Sequence, residues 1–227
     1  MIMATHLFNI GVYAVHSLKE LDRSQLLQIQ QVLEEPVQPS AQHLSGRARP
    51  IFFNLEEVGP VVLKAYLRGG FPGKIISRTY LKLGRPRSGA EMDMLLLARK
   101  LGINAPEPVC WVTKGSIVYQ TWLVLKEAPG VEPLSLLAGR DEKKALPFMT
   151  DVRRQVLILI KHGLYHVDLH PGNVLVGDGG KVFIIDFDKA RHFSGSEAAL
   201  FRRYEKRWRR AVRKYGLPES LCRIMDN

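Results

Sequence analysis

The chain has 227 residues, 46% hydrophobic and 24% charged, enough to bury a core in one compact domain or two small lobes. No apolar run approaches the ~20 residues of a membrane-spanning helix, and no basic-then-apolar leader suggests a signal peptide. The formal net charge of +11 repels cationic partners and leaves nucleic acid, an anionic membrane surface and phosphorylated substrates open. The cysteines, Cys110 and Cys222, stand too far apart in sequence for a metal-ligand spacing and build no disulfide framework, so a reducing cytoplasm is the expected setting.

Residues 1–40 are weakly patterned and read as an N-terminal extension, with a short helix over Leu21–Leu33 that ends before Pro36 and Pro39. Residues 41–127 read as a small sheet-rich lobe. Two strands, Ile51–Leu55 and Val61–Leu67, flank a turn expected around Gly59-Pro60. Residues 68–87 carry four glycines and six basic side chains and read as a loop. Ser88 is a candidate cap for a helix reaching Leu101, with Glu91 as its capping-box partner and Gly102 as its stop. Strands near Val109–Thr113 and Ile117–Leu125 follow, and Glu127-Ala-Pro-Gly130 reads as a linker between lobes. Residues 128–227 read as a helical lobe. It begins with a helix over Thr150–His162 whose apolar residues are Val152, Val156, Leu157, Leu159 and Ile160. A β-hairpin then turns at Gly177-Asp-Gly-Gly180, and a last helix spans Ser196–Tyr215.

The chemistry concentrates around that hairpin. His166-Val-Asp168-Leu-His170-Pro-Gly-Asn173 leads into its first strand, and Val182-Phe-Ile-Ile-Asp186 closes its second. A carboxylate, an amide oxygen and a second carboxylate at this spacing suit phosphoryl transfer from ATP. Asp168 would orient the acceptor hydroxyl and take its proton, while Asn173 and Asp186 offer hard oxygens to Mg²⁺. His166 reads as a buried structural histidine, and His170 as a hydrogen-bond donor to the γ-phosphate or, preferably, a brace for the loop. Asp188 is a further carboxylate that can pair with Lys189 or Arg191 or touch a second metal.

Lys64 interrupts the apolar run Val61-Val-Leu and needs a partner there. As a phosphate ligand it would be held by Glu91, with Asp93 as a competitor on a different helix face. Gly46 and Arg47, in Leu44-Ser-Gly-Arg, stand where a phosphate-cradling loop would lie, although one glycine also suits a plain tight turn.

In the last helix, eight of the thirteen residues from Arg202 to Lys214 are Arg or Lys, while Phe201, Tyr204, Trp208, Val212 and Tyr215 recur at helical spacing. The aromatics read as a packing stripe rather than a base-stacking platform, which disfavours nucleic acid as the partner. The basic remainder suits anionic lipid headgroups.

These motifs give the chain a resemblance to the lipopolysaccharide kinase family of the protein-kinase-like superfamily. The matching stretches are Leu44-Ser-Gly-Arg, Leu63-Lys-Ala-Tyr-Leu-Arg-Gly-Gly70, the Glu91 helix with Gly102-Ile-Asn-Ala-Pro-Glu-Pro108, and Ile184-Ile-Asp-Phe-Asp188. Among the family it is most similar to members that phosphorylate 3-deoxy-D-manno-octulosonic acid (Kdo). The resemblance implies an α+β, protein-kinase-like fold with a β-rich N-lobe, a reduced helical C-lobe and an ATP cleft between them. It implies transfer of the ATP γ-phosphate, with Mg²⁺, to a Kdo hydroxyl on a lipid A precursor, at the cytoplasmic face of the bacterial inner membrane. The chain departs from regulated protein kinases in Val167, where they carry arginine, in Asp188, where they carry glycine, and in lacking an Ala-Pro-Glu segment in the 41 residues after Asp186. The His-x-Asp-Leu-His-Pro-Gly-Asn stretch is shared with aminoglycoside and choline kinases. Heptose or another small hydroxyl acceptor therefore stays open, as does a non-catalytic, membrane-associated module of the same fold. Charge argues for an anionic glycolipid acceptor, because polycationic aminoglycosides call for an acidic site and this chain is basic.

Overall fold

The computed structural model describes residues 6–35, 50–66, 80–81 and 84–225. It is a mixed α/β chain that divides into two compact units, Met1–Asp93 with Glu107–Glu127, and Met94–Pro106 with Ala128–Asn227.

The first unit is built on an antiparallel sheet. Its strands are β1 (His6–Ile10), β2 (Tyr13–Ser17), β3 (Ile51–Leu55), β4 (Gly59–Ala65), β5 (Tyr80–Leu81), β6 (Pro108–Lys114) and β7 (Val118–Lys126). Among the described residues the order is β1-β2-β6-β7-β4-β3, with β5 beside the start of β7. Alternation decides which side chains face inward. Tyr13 and Val15 of β2, Leu55 of β3, Val61 and Leu63 of β4, Cys110 and Val112 of β6 and Val124 of β7 form one buried cluster. Burial pushes the Cys110 thiol up to about 12, so it packs as a small apolar group. Both cysteines are free and buried.

Residues 6–34, within the stretch expected as an extension, supply β1, β2 and a helix to this unit. β2 pairs with β6 over Tyr13↔Lys114 to Ser17↔Cys110, which makes it an interior strand of the sheet. The segment patterns weakly because β1 lies at an edge and buries little. The helix, α1 (Arg23–Glu34), drives Ile29 into the shared core. It starts with a reciprocal capping box, in which Asp22 Oδ1 accepts from the Gln25 N–H at 2.8 Å and Gln25 Oε1 accepts from the Asp22 N–H at 3.0 Å.

Two local expectations shift. The turn between β3 and β4 lies at Glu56–Val58, because Leu55 pairs with Gly59 and so draws Gly59 and Pro60 into the strand. Gly59 takes φ 90° there, which glycine adopts freely. The helix after residue 86, α2 (Arg87–Lys100), already includes Ser88. Ser88 therefore does not cap it. Its hydroxyl is fully buried and bonds the Thr121 hydroxyl, and the Pro86 carbonyl accepts from the Ala90 N–H at 2.9 Å.

The second unit holds the short strand β8 (Val131–Pro133), α3 (Leu134–Arg140), α4 (Glu142–Ala145), α5 (Met149–Lys161), β9 (Leu164–Tyr165), β10 (Val174–Gly177), β11 (Lys181–Ile184), β12 (Arg191–His192) and α6 (Glu197–Lys214). β10 and β11 form the expected hairpin, registered from Val174↔Ile184 to Gly177↔Lys181. β8, not anticipated from sequence, adds a third strand beside β10. Gly177 is required there, since a Cβ at that position would meet the Gly130 carbonyl oxygen at 2.6 Å.

α5 buries Val152, Val156, Leu159 and Ile160 but leaves Leu157 exposed. On its inner face lies Gln155, whose amide is fully used. Its oxygen accepts from the Asn104 N–H at 2.9 Å, and its nitrogen donates to Asp151 at 2.8 Å and to the Val182 carbonyl at 3.1 Å.

α6 is capped by Ser196, which accepts from the Ala199 N–H. It buries Leu200, Tyr204, Trp208, Ala211 and Val212. Of the expected stripe, Tyr215 falls just past the helix end and is exposed. Trp208 Nε1 donates to the Leu221 carbonyl at 2.7 Å. The Tyr204 hydroxyl donates to the Leu164 carbonyl and accepts from the His166 N–H, both at 2.7 Å. Among the described residues no helix is long and apolar enough to cross a membrane.

Tyr204→Phe would strip the partner from a buried N–H and a buried C=O at once. It is expected to destabilise the protein by about 2–3 kcal/mol, read as a lower urea midpoint at unchanged m-value. An unchanged midpoint would mean that these groups find other partners.

Candidate active site

In the first unit the inward alternation of β4 puts Val61 and Leu63 in the core and leaves Lys64 on the opposite face. Lys64 Nζ lies 2.8 Å from both carboxylate oxygens of Glu91. Glu91 is 1% exposed, so its charge needs full compensation. Part comes from Lys64. More comes from Tyr66, two residues further on, whose hydroxyl donates to Glu91 Oε2. Glu91 is therefore an ion-pair partner and not a capping residue. Asp93 points elsewhere and pairs with Arg85 at 2.6 Å, as expected for a residue on another helix face. Gly46 and Arg47 lie outside the described residues.

In the second unit the loop from His166 to Asn173 is pinned from three sides. His166 is buried, and its Nε2 meets the Ile185 carbonyl at 2.9 Å while its ring stands edge-on to Phe187. Burial drives its pKa down, against the Ile185 bond and the charges of Asp186 and Asp168, so the ring is neutral and Nε2 donates. His170 Nδ1 accepts from the Gly172 N–H at 3.0 Å and caps the turn Pro171–Asn173. Gly172 sits close under that ring, where a Cβ would meet it at 2.9 Å. Both histidines hold backbone.

Asn173 is buried and locks the loop to the hairpin. Its Nδ2 donates to the Asp168 backbone carbonyl at 2.9 Å, and its own carbonyl accepts from the Ile185 N–H at 3.0 Å. The side-chain oxygen is the atom of this amide that a cation could use. Asp186 follows β11 in a left-handed conformation, φ 68° and ψ 61°, rare for a residue with a Cβ. The next residue, Phe187, is fully buried and anchors that bend. Strain held at a carboxylate is the kind found where a side chain must be aimed. Among the described residues no three His, Cys, Asp or Glu side chains gather as a metal site. One amide oxygen and one carboxylate nevertheless fit Mg²⁺, which keeps waters and takes phosphate oxygens instead of an all-protein cage.

Asp168 has two partners that sequence reasoning missed. Lys189 Nζ is 3.0 Å from Oδ2, and Arg207 Nη2 is 2.8 Å from Oδ1. Partial burial pushes the Asp168 carboxyl up, but the Lys189 bond and charge and the Arg207 charge outweigh it, leaving the carboxyl below its usual range despite Asp186 nearby. Lys189 had been a candidate partner for Asp188. It serves Asp168, while Arg191, the other candidate, lies over the Tyr165 ring. Arg207 had been counted with the solvent-facing charges of the last helix. It follows the buried Tyr204 by three residues and so shares its face. A basic residue at core spacing was the available signal.

The sequence from residue 40 to 207 matches the model of the lipopolysaccharide kinase (Kdo/WaaP) family. Curated relatives named 3-deoxy-D-manno-octulosonic acid kinase align with most of the chain. The protein of Vibrio parahaemolyticus serotype O3:K6 is 31% identical over 65% of this chain and 62% of its own length. That of Stenotrophomonas maltophilia strain K279a is 30% identical over 74% and 69%. That of Xanthomonas campestris pv. campestris strain B100 is 32% identical over 66% and 64%. The chain thus spans a little under two thirds of the Vibrio and Xanthomonas relatives' length. The match covers β3 through most of α6, the stretch that carries Lys64, Glu91, Asp168, Asn173 and Asp186, and the chain belongs to the lipopolysaccharide kinase (Kdo/WaaP) family.

Proposed function

We propose that this protein is an ATP-dependent kinase that phosphorylates a hydroxyl of a Kdo sugar on a lipid A precursor. The observation that carries the reading is Asp168, held by Asn173 on its backbone and by two cations on its carboxylate, in a chain of a kinase family. The names of its relatives supply the acceptor. Family membership carries ATP use with it, and the sheet-bearing and helical units are read as the two lobes of a protein-kinase-like fold.

The residues divide the work. Lys64, oriented by Glu91 and Tyr66, binds the α- and β-phosphate oxygens of ATP. Asn173 and Asp186 would hold Mg²⁺, which would supply positive charge to offset that of the phosphates. Asp168 orients the acceptor hydroxyl. Its oxygen bonds to the γ-phosphorus as the bond from that phosphorus to the β,γ-bridging oxygen breaks, ADP leaves with the bridging oxygen, and the hydroxyl proton passes to Asp168. Two cations lower the proton affinity of Asp168, which makes it a better director of the hydroxyl than a strong base. That suits a loose transition state in which the nucleophile loses its proton late.

The outer face of α6 supports a peripheral seat on anionic lipid at the cytoplasmic side of the inner membrane, where such an acceptor is embedded. Lys206, Arg209, Arg210 and Arg213 line a shallow surface groove with Glu205, whose carboxylate offsets one charge by pairing with Arg209 at 2.9 Å.

The deciding experiment incubates the purified protein with ATP, Mg²⁺ and Kdo-bearing lipid A precursor, with mass spectrometry reading one added phosphate. Asp168→Asn is expected to lower kcat by about 10²–10⁴-fold with ATP binding intact, and activity close to wild type would remove Asp168 from this role. Glu91→Gln leaves Lys64 poorly held and is expected to lower kcat/KM for ATP by about 10–100-fold; an unchanged value would make the pair purely structural. Reversing Arg209, Arg210 and Arg213 to Glu should weaken binding to vesicles containing anionic lipid by about a hundredfold or more, at about 1 kcal/mol per removed basic residue. Undiminished sedimentation with such vesicles would eliminate this face as the membrane contact.

A further inference from the structure

We infer that Lys189 and Arg207 form an acceptor-recognition pair, which binds a carboxylate carried by the acceptor sugar beside the hydroxyl that Asp168 directs. The inference rests on the Kdo-kinase reading and adds to it the residues that select the acceptor's charge.

Both cations sit on one carboxylate, one on each oxygen, at 3.0 and 2.8 Å. They come from different elements. Lys189 ends the turn Phe187–Lys189 that follows Asp186, and Arg207 reaches in from the middle of α6. A single cation suffices to neutralise and aim an aspartate. Asp186 also lies within electrostatic reach of Asp168, so the two cations balance two carboxylates, and it is their unused N–H donors that suit an anionic group on the acceptor.

Donor capacity allows it. An ammonium has three N–H donors and a guanidinium five in a planar fork, and each here gives one to Asp168. The Lys189 side chain is 59% exposed and that of Arg207 35%, so both reach solvent while holding the base. Asp168 keeps lone pairs for the hydroxyl, since a carboxylate has about four acceptor sites. An octulosonic acid carries its carboxylate on the same sugar as its hydroxyls, whereas lipid A phosphates lie at least one sugar away. The sugar carboxylate is therefore the group these donors can meet while the hydroxyl is at Asp168.

The test compares kcat/KM for the Kdo-bearing lipid A precursor and for the same acceptor with its Kdo carboxylate converted to the amide. An arm with a dephosphorylated lipid A moiety separates sugar carboxylate from lipid phosphate. The wild type is expected to prefer the carboxylate by about 10–100-fold. Lys189→Met and Arg207→Met should bring that ratio toward one, and Arg207→Lys should restore part of it. If both acceptors lose activity equally and the ratio holds, the two cations only position Asp168 and the inference is overturned. The same follows if the ratio responds to the lipid phosphates and not to the carboxylate. If Arg207→Met does not fold, Lys189→Met alone decides, because Lys189 is mostly exposed. A wild type inactive on all acceptors would instead fail the Kdo-kinase reading and take this inference with it.

Discussion

Asp168 is kept ionised and fixed in direction while partly withdrawn from water, and much of the second unit is organised around it. Its backbone is tied to the hairpin through Asn173, and its carboxylate is held by Lys189 and Arg207. Arg207 is in position because α6 is bolted to the same loop one turn earlier. There the Tyr204 hydroxyl fills the gap between the Leu164 carbonyl and the His166 N–H. Burial drives that hydroxyl's pKa far up, so it remains a protonated donor. The helix therefore does two things with one face, covering apolar core and delivering a charge.

The first unit meets a related constraint with different means. Glu91 is buried beyond reach of water, and a lone carboxylate there would shed its charge by taking up a proton. Lys64, near the end of β4, and Tyr66, just beyond it, provide a charge and a hydroxyl donor. The ammonium is the more exposed member of the pair, at 28%, and this asymmetry leaves it able to contact an anion without losing its anchor. The second unit reverses this order, since Asp168 is more buried than the two cations that hold its carboxylate.

Much of this was legible because it is local. His166 to Asn173 is one loop and β10–β11 one hairpin, so spacing alone brought Asp168, Asn173 and Asp186 near each other. Lys64 was legible as a charge inside an apolar strand, and its pairing with Glu91 follows from a helix that packs on that strand. The assignment of Ser88 as a cap failed because a serine near a helix start has two uses, and the buried Thr121 hydroxyl claimed this one. The strand β1 was not legible because an edge strand exposes most of its side chains, and β2 because one of its three inward positions is the polar Ser17 and its outward face includes the apolar Ala14.

The amino-acid order by itself determined the His166–Asn173 loop, the hairpin after it, the Lys64 position and the basic character of the last helix. Each depends on residues within a few turns or on simple charge. Core spacing only hinted at which of eight basic side chains in that helix faces inward, and tertiary structure decided it. Arg207 and Asp168 lie 39 residues apart, and their meeting depends on the rotation of α6 about its axis. That rotation is set by where Leu200, Tyr204, Trp208 and Ala211 find their pockets in the rest of the unit. Packing, which sums over many distant neighbours, chose the partner of the base.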